Sequence, residues 1–247
     1  MKHLLFSILF IATNYSLAAQ PRIHAHNDYQ QAVPLTNALQ NEAYSIEADV
    51  YLTSRAVVVA HERKDTAVAP LLDLLYLQPI IKLFKQHDGR ISKSKTYTPV
   101  LMIDIKDNAE AVLPALVQLV AKHRSVFDRS VNAMAVQLLI SGNRGAVSTW
   151  ASYPSYILFD GRPAEVYDSA ALQRVAFISD AYYKYVTASD SSSRIQQLVT
   201  KVHGMGKLLR LWAIPDNTAS WQRLQQLGVD IINTDKVGEC RHYFSTK

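Results

Sequence analysis

The sequence predicts an α/β protein built as a single (β/α)8 TIM barrel, and three observations predict it. Eight short apolar runs recur between longer amphipathic stretches, the pattern of repeated parallel βα units. Those units fill most of the 247 residues, close to the ~250 residues usual for such a barrel. Titratable residues gather at the C-terminal ends of the first runs, where barrels of this kind carry their sites.

The strands are predicted, in order, as "RIHAH" (22–26), "SIEADV" (45–50), "VLMIDIK" (100–106), "AVQLLI" (135–140), "YILFD" (156–160), "VAFIS" (175–179), "LLRLWAI" (208–214) and "VDIINTD" (229–235). A further run, "VVVAH" (57–61), follows the second strand too closely to be a barrel strand and reads as a hairpin return. Of the helices between them, "NAEAVLPALVQLVAKH" opens on an Asn108 cap, but Pro114 would sit better near a first turn. That helix is therefore expected to start late or kink. "NTASWQRLQQLG" has an Asn217 cap, Trp221, Leu224 and Leu227 on one face, and Gly228 as a stop. "SSSRIQQLVTKVHGMG" has the same build, and "LLDLLYLQPIIKLFKQ" reads as an ordinary amphipathic helix. "TASDSSS" (187–193) reads as a loop and helix entry, and no linker divides the chain.

The first residues, with Lys2, an apolar stretch from Leu4 to Ala12 and a small-residue end, have the anatomy of a signal peptide. Residues 1–19 are expected to be removed near Ala18–Ala19, leaving residues 20–247 as one exported barrel domain. The single cysteine, Cys240, excludes an intramolecular disulfide and a cysteine-based zinc cluster. A net charge of +5 with no long basic run argues against nucleic acid and mildly favours anionic substrates.

Side chains two apart on a strand share a face. That places His24 with His26, Glu47 with Asp49 and Asp104 with Lys106, each pair at a strand end, with His61 ending the hairpin. Each piece alone has an ordinary reading: a hydrogen-bonded histidine, a solvated strand edge, a local ion pair. Together, inside buried strands, unpaired charges would be costly. Three converging carboxylates repel one another unless a hard divalent cation joins them through oxygen ligands. Glu47, Asp49 and Asp104 are thus expected to hold one Mg²⁺ or Ca²⁺, and Lys106 to meet a phosphate oxygen. His26 and His61 can exchange protons near neutral pH. The set suits phosphodiester cleavage, in which one histidine activates the attacking group and the other protonates the leaving oxygen. His24 is expected to orient His26 or touch substrate. Arg162 and Arg210 are expected either to grip an anion or to form rim ion pairs.

The ordered pieces "HAHNDYQ…PLTNAL…YSIEADVYL…VVVAHE…LMIDIK…LWAIPD…LGVDIINTD" resemble the phospholipase C-like phosphodiesterase superfamily of TIM barrels. That superfamily includes glycerophosphodiester phosphodiesterases and sphingomyelinase D enzymes. The H-x-H-N-D-Y pattern is similar to its altered inheritance of mitochondria protein 6 branch. The resemblance implies a phosphoric diester hydrolase with His26 and His61 as the catalytic pair. It further implies Glu47, Asp49 and Asp104 as metal ligands, Lys106 as a substrate lysine and Trp212 in the pocket lining. Asn27 and Asp28 stand where glycerophosphodiester phosphodiesterases carry Arg-Gly, and their Glu-Asn-Thr is absent. The substrate is therefore open among small-molecule and lipid phosphodiesters, with peripheral membrane contact for a lipid and no obligate protein partner. Two other readings compete. One is a metal-dependent amidohydrolase or histidinol-phosphatase-type barrel, which needs later histidines at strand ends. The other is an exported binding protein without catalysis.

Overall fold

Runs of β-branched and aliphatic residues form nine strands in the computed structural model of the chain, which describes residues 20–54, 56–186 and 190–246. They are β1 (Arg22–Ala25), β2 (Ser45–Leu52), β3 (Val57–Val59), β4 (Val100–Ile105), β5 (Gln137–Gly142), β6 (Ile157–Gly161), β7 (Val175–Ala181), β8 (Leu209–Trp212) and β9 (Ile231–Thr234). Eight of them pair in parallel in the order β1-β2-β4-β5-β6-β7-β8-β9, and β9 pairs back to β1, closing the barrel. β3 runs antiparallel along the C-terminal half of β2, while β1 pairs with the start of β2 on residues Ser45 and Ile46. The hairpin thus stands above the end of β1 and delivers His61 to the rim. The leader expected over residues 1–19 lies outside the described residues, as do residues 187–189 of the expected loop.

The helical layer comprises α1 (Thr36–Gln40), α2 (Gln78–Gln86), α3 (Ala109–Val120), α4 (Arg124–Phe127), α5 (Ser169–Arg174), α6 (Ser191–Gly204), α7 (Thr218–Gln226) and α8 (Val237–Ser245). α6 buries Ile195, Leu198, Val199 and Val202, one stripe at helical spacing against the barrel. α7 begins where Asn217 accepts from the Ser220 amide at 3.0 Å, and the chain leaves it through Gly228 at φ +87°. α3 corrects the expectation drawn from Pro114. Asn108 caps it by accepting from the Glu110 amide at 2.8 Å, and the helix starts at once, at Ala109. Pro114 lies on its exposed face, and Glu110, whose carbonyl loses a partner, is exposed, so water can take that bond. Among the described residues no helix is long and apolar enough to cross a membrane.

Two cores result. The larger lies between strands and helices. The smaller joins Val100, Met102, Leu139, Phe177 and Ile231. Those come from strands that are mostly not sheet neighbours, so they meet across the barrel interior and plug its lower half. The interior changes character above this plug: His24, Glu47, Ser141, Asp160, Ser179, Arg210 and Asn233 are all buried and polar. Buried polar groups call for partners, and this layer finds most of its own internally, as the floor of the site.

Candidate active site

Register explains how the carboxylates meet. Asp49 on β2 lies opposite Asp104 on β4, and Asp104 lies opposite Ser141 on β5. Glu47 sits two residues earlier on the same face as Asp49. One oxygen from each of Glu47, Asp49 and Asp104 falls within 4.8 Å of the others, and all three residues are buried. Lys106 Nζ reaches Asp49 Oδ2 and Asp104 Oδ1, each at 3.2 Å. His26, Glu47, Asp104, Lys106, Ser141, Arg162 and Trp212 line one cavity of about 310 Å³ at the C-terminal rim.

The residues present fit a divalent cation. Asp49 and Asp104 share a single lysine, Glu47 meets Arg210 at 3.7 Å, and among the described residues Asp49 Oδ1, though buried, has no hydrogen-bond partner. Burial, and then the charge of Glu47, push Asp104 up to about 6 against the pull of Lys106. Asp49 is raised for the same two reasons. Burial works against Glu47 as well, but its hydrogen bond to His24 and the charge of Arg210 hold it well below the usual carboxylate range. Burial opposes the Lys106 charge, and Asp104 and Asp49 more than restore it, raising its pKa. The Glu/Asp/Asp group could therefore hold an ion through hard oxygen ligands.

Asp104 gives a pH dependence with a definite sign. Its folded pKa of about 6 lies above the ordinary 3.8, so the folded state holds this proton more tightly than the unfolded chain. The resulting stability is present below about pH 4 and is lost as pH rises through about 6, on the order of 2 kcal/mol. Metal-free Asp104→Asn should therefore melt higher than metal-free wild type at pH 7 and alike at pH 4. Glu47 and Asp160 shift the other way, so melting curves of variant against wild type, with chelator at both pH values, isolate this group.

Burial corrects the expectation that His24 touches substrate, whereas Arg210 lines the cavity and also pairs inside it. His24 is fully buried, and its Nε2 lies 2.7 Å from both Glu47 Oε2 and Arg210 Nη1. Burial and the Arg210 charge bring its pKa down to about 4, so it stays neutral and fixes Glu47 rather than His26. Arg210 lies in the cavity floor, where Ser179 and Asn233 accept from its guanidinium at 3.0 and 3.1 Å and its Nη1 lies 2.7 Å from His24 Nε2. Asp160 lies 3.5 Å from it and, fully buried, also takes Ser141, Ser179 and Arg162. The guanidinium is thus committed to its own walls. Arg162, anchored at 2.8 Å on Asp160, is partly exposed and lines the same cavity as Arg210. Trp212 lines the cavity and packs edge-on against Tyr183.

The two remaining histidines stand at the rim, His26 with 34% and His61 with 53% of the side chain exposed. His26 Nδ1 donates to Asp235 Oδ1 at 2.7 Å, across the β1–β9 seam. His61 Nδ1 lies 3.1 Å from Asp49 Oδ2. The turn after β1 explains "HNDY". Asn27 takes the left-handed backbone at φ 45°, a conformation asparagine tolerates. Asp28 turns away from the cavity, where Oδ2 accepts from the Leu35 amide at 2.6 Å and the Tyr76 hydroxyl at 2.8 Å, pinning the loop. Tyr29 donates to Asp49 Oδ2 at 2.8 Å.

Sequence reasoning missed Asp235, Tyr29 and Gly142 as parts of the site. Their signals were present: an acid ending the last strand, a tyrosine ending the first motif, and a glycine between Ser141 and Asn143. Gly142 has φ +66°, and a Cβ there would come within 2.2 Å of Asp104 Oδ1 and 2.4 Å of the Ile105 carbonyl. Gly142→Ala should destabilise the protein by about 3 kcal/mol, from left-handed strain plus overlap, read as a lowered Tm. The amidohydrolase reading fails on placement. His87, His123, His203 and His242 sit in the helical layer or at its ends, so among the described residues no second histidine set reaches the rim.

The AIM6-like phosphodiesterase domain family matches residues 16–143, just over half of the chain. Altered inheritance of mitochondria protein 6 from Eremothecium gossypii is 25% identical, aligned over 87% of this chain and 67% of its own length. A homolog from Arthroderma benhamiae is 22% identical over 90% of this chain and 83% of its own. Among solved structures, the glycerophosphodiester phosphodiesterase of Parabacteroides distasonis superposes with a TM-score of 0.58, at 14% identity, covering 92% of this chain and 97% of that one. The corresponding enzyme of Agrobacterium tumefaciens gives 0.53, also at 14% identity, over 90% and 99%. These structures share the barrel, and the sequence match carries the relationship further: the chain belongs to the AIM6-like phosphodiesterase domain family.

Proposed function

We propose that the chain is an exported, metal-dependent phosphodiesterase that cleaves a glycerophosphodiester or phospholipid-like diester by acid–base catalysis between His26 and His61. The observation that carries this reading is the buried Glu47–Asp49–Asp104 group beside Lys106, with Glu47, Asp104, Lys106 and His26 lining one cavity. A divalent cation on those carboxylates, Mg²⁺ or Ca²⁺, would neutralise charge developing on the phosphoryl oxygens. Lys106 adds a second positive charge on the same wall, and Arg162 supplies a third across the cavity. His61 accepts the proton of the attacking water or hydroxyl, and His26, steadied by Asp235, delivers one to the leaving oxygen. Apart from Ile105 and Trp212 the cavity walls are polar or carry only glycine. That lining suits a phosphoryl headgroup and leaves any acyl chains outside, which for a lipid substrate implies peripheral membrane contact.

The test is a panel of glycerophosphodiesters, lysophospholipids and phospholipids offered to the purified full barrel, with products identified by ³¹P NMR. A monoester product means water attacks, and a cyclic phosphate means a substrate hydroxyl does. Binding of diesters without turnover of any would favour the non-catalytic reading. Export is supported if secreted material has the intact mass of a chain starting at Ala19 or Gln20, and rejected if Met1 is retained.

A further inference from the structure

Tyr29 belongs to no catalytic or ligand role described so far, yet its hydroxyl sits at the junction of three site residues. It lies 2.8 Å from Asp49 Oδ2, 3.1 Å from His61 Nδ1 and 3.2 Å from Asn27 Oδ1. A phenol has one proton to give. The shortest contact is to the charged carboxylate, which makes Asp49 its acceptor. The oxygen of Tyr29 is then an acceptor toward His61. His61 Nδ1 faces two acceptor oxygens, those of Tyr29 and Asp49, each at 3.1 Å, and only a proton on Nδ1 makes both contacts attractive. Nδ1 is therefore the protonated nitrogen of the neutral ring, and Nε2 carries the lone pair.

We propose that Tyr29 is a positioning residue that, together with Asp49, locks His61 as its Nδ1–H tautomer and leaves Nε2 as the nitrogen that accepts the proton of the attacking group. The proposal rests on the phosphodiesterase reading for its consequence in rate, though not for its geometry. It divides the two oxygens of Asp49. Oδ2 is occupied by Tyr29, His61 and Lys106, and Oδ1, buried and without a hydrogen-bond partner among the described residues, is the oxygen left for a cation. It also distinguishes the histidines: His26 is oriented by Asp235, 57% exposed, whereas His61 is held by a buried carboxylate and a phenol.

The experiment uses the full chain in two arms. Long-range ¹H–¹⁵N NMR of the histidine rings, on metal-free and Mg²⁺-loaded protein without substrate, reads the tautomer directly. Wild type should show His61 as the single Nδ1–H form. Tyr29→Phe, which keeps the ring and its packing, should give a mixture of tautomers because the half-exposed imidazole loses one of its two holders. The second arm measures hydrolysis of bis(4-nitrophenyl) phosphate by wild type, Tyr29→Phe, His61→Ala and the double variant. Tyr29→Phe should lower kcat roughly tenfold or more with KM nearly unchanged, and have less than about twofold further effect once His61 is gone. An Nε2–H tautomer in wild type, or an unchanged tautomer in Tyr29→Phe, overturns the proposal. An equal loss with and without His61 overturns it too, since the effect would then run through Asp49 alone. The NMR arm needs no turnover, so failure of the phosphodiesterase reading would show as inactivity in wild type with the tautomer result intact.

Discussion

Replacing His26 or His61 with alanine is expected to lower kcat for an alkyl diester by on the order of 10²–10⁴-fold, with substrate affinity changed much less. Both rings stand at the rim with Nδ1 held, by Asp235 in one case and by Asp49 and Tyr29 in the other. Each therefore presents Nε2 for proton transfer. The leaving group separates their roles. With bis(4-nitrophenyl) phosphate the departing phenolate needs no proton, so the variant lacking the acid, His26→Ala, should lose far less than His61→Ala. With an alkyl diester both losses should be large. The wild-type dependence of kcat on pH should be bell-shaped, with one limb flattened in each variant. If there is no bell and both variants keep near-normal kcat, the pair is structural.

An effect of similar size is expected from the carboxylates. Asp49→Asn or Glu47→Gln should remove cation binding in calorimetry and lower activity by on the order of 10³-fold or more, because stabilisation of phosphoryl charge is lost with the ion. Chelation of wild type should do the same reversibly. The folded protein should also report the ion by its stability. Saturation to 100 times the dissociation constant should add about 2.7 kcal/mol, read as a higher Tm near neutral pH and absent in Asp49→Asn. A metal-free sample with full activity would reject the site.

What could be read from the sequence follows from how local each feature is. The strands were legible because buried parallel strands are short and continuously apolar, and α7 was legible because Asn217 and Gly228 bracket it. The Glu47/Asp49 and Asp104/Lys106 pairs were legible because alternation fixes which side chains share a face, and register then brought the strands level. Depth was not legible. His24 and His26 share a face by the same rule, yet one is sealed into the floor and the other stands at the rim. Arg210 reads equally as an anion holder or an ion-paired group, because its neighbours Ser179, His24 and Asn233 come from other strands. Asp235 lies 209 residues from His26 in the chain and meets it only when β9 closes on β1. Tyr29 was hidden for a different reason: its role depends on the left-handed turn at Asn27, which a motif spells but does not draw.

Metal-dependent acid–base cleavage is tested by ³¹P NMR of one alkyl phosphodiester incubated with the purified chain in three parallel samples: wild type with Mg²⁺, wild type with chelator, and His61→Ala with Mg²⁺. Conversion of the diester is expected in the first sample only, restored in the second when Mg²⁺ or Ca²⁺ is returned in excess. Equal conversion in all three samples would contradict it.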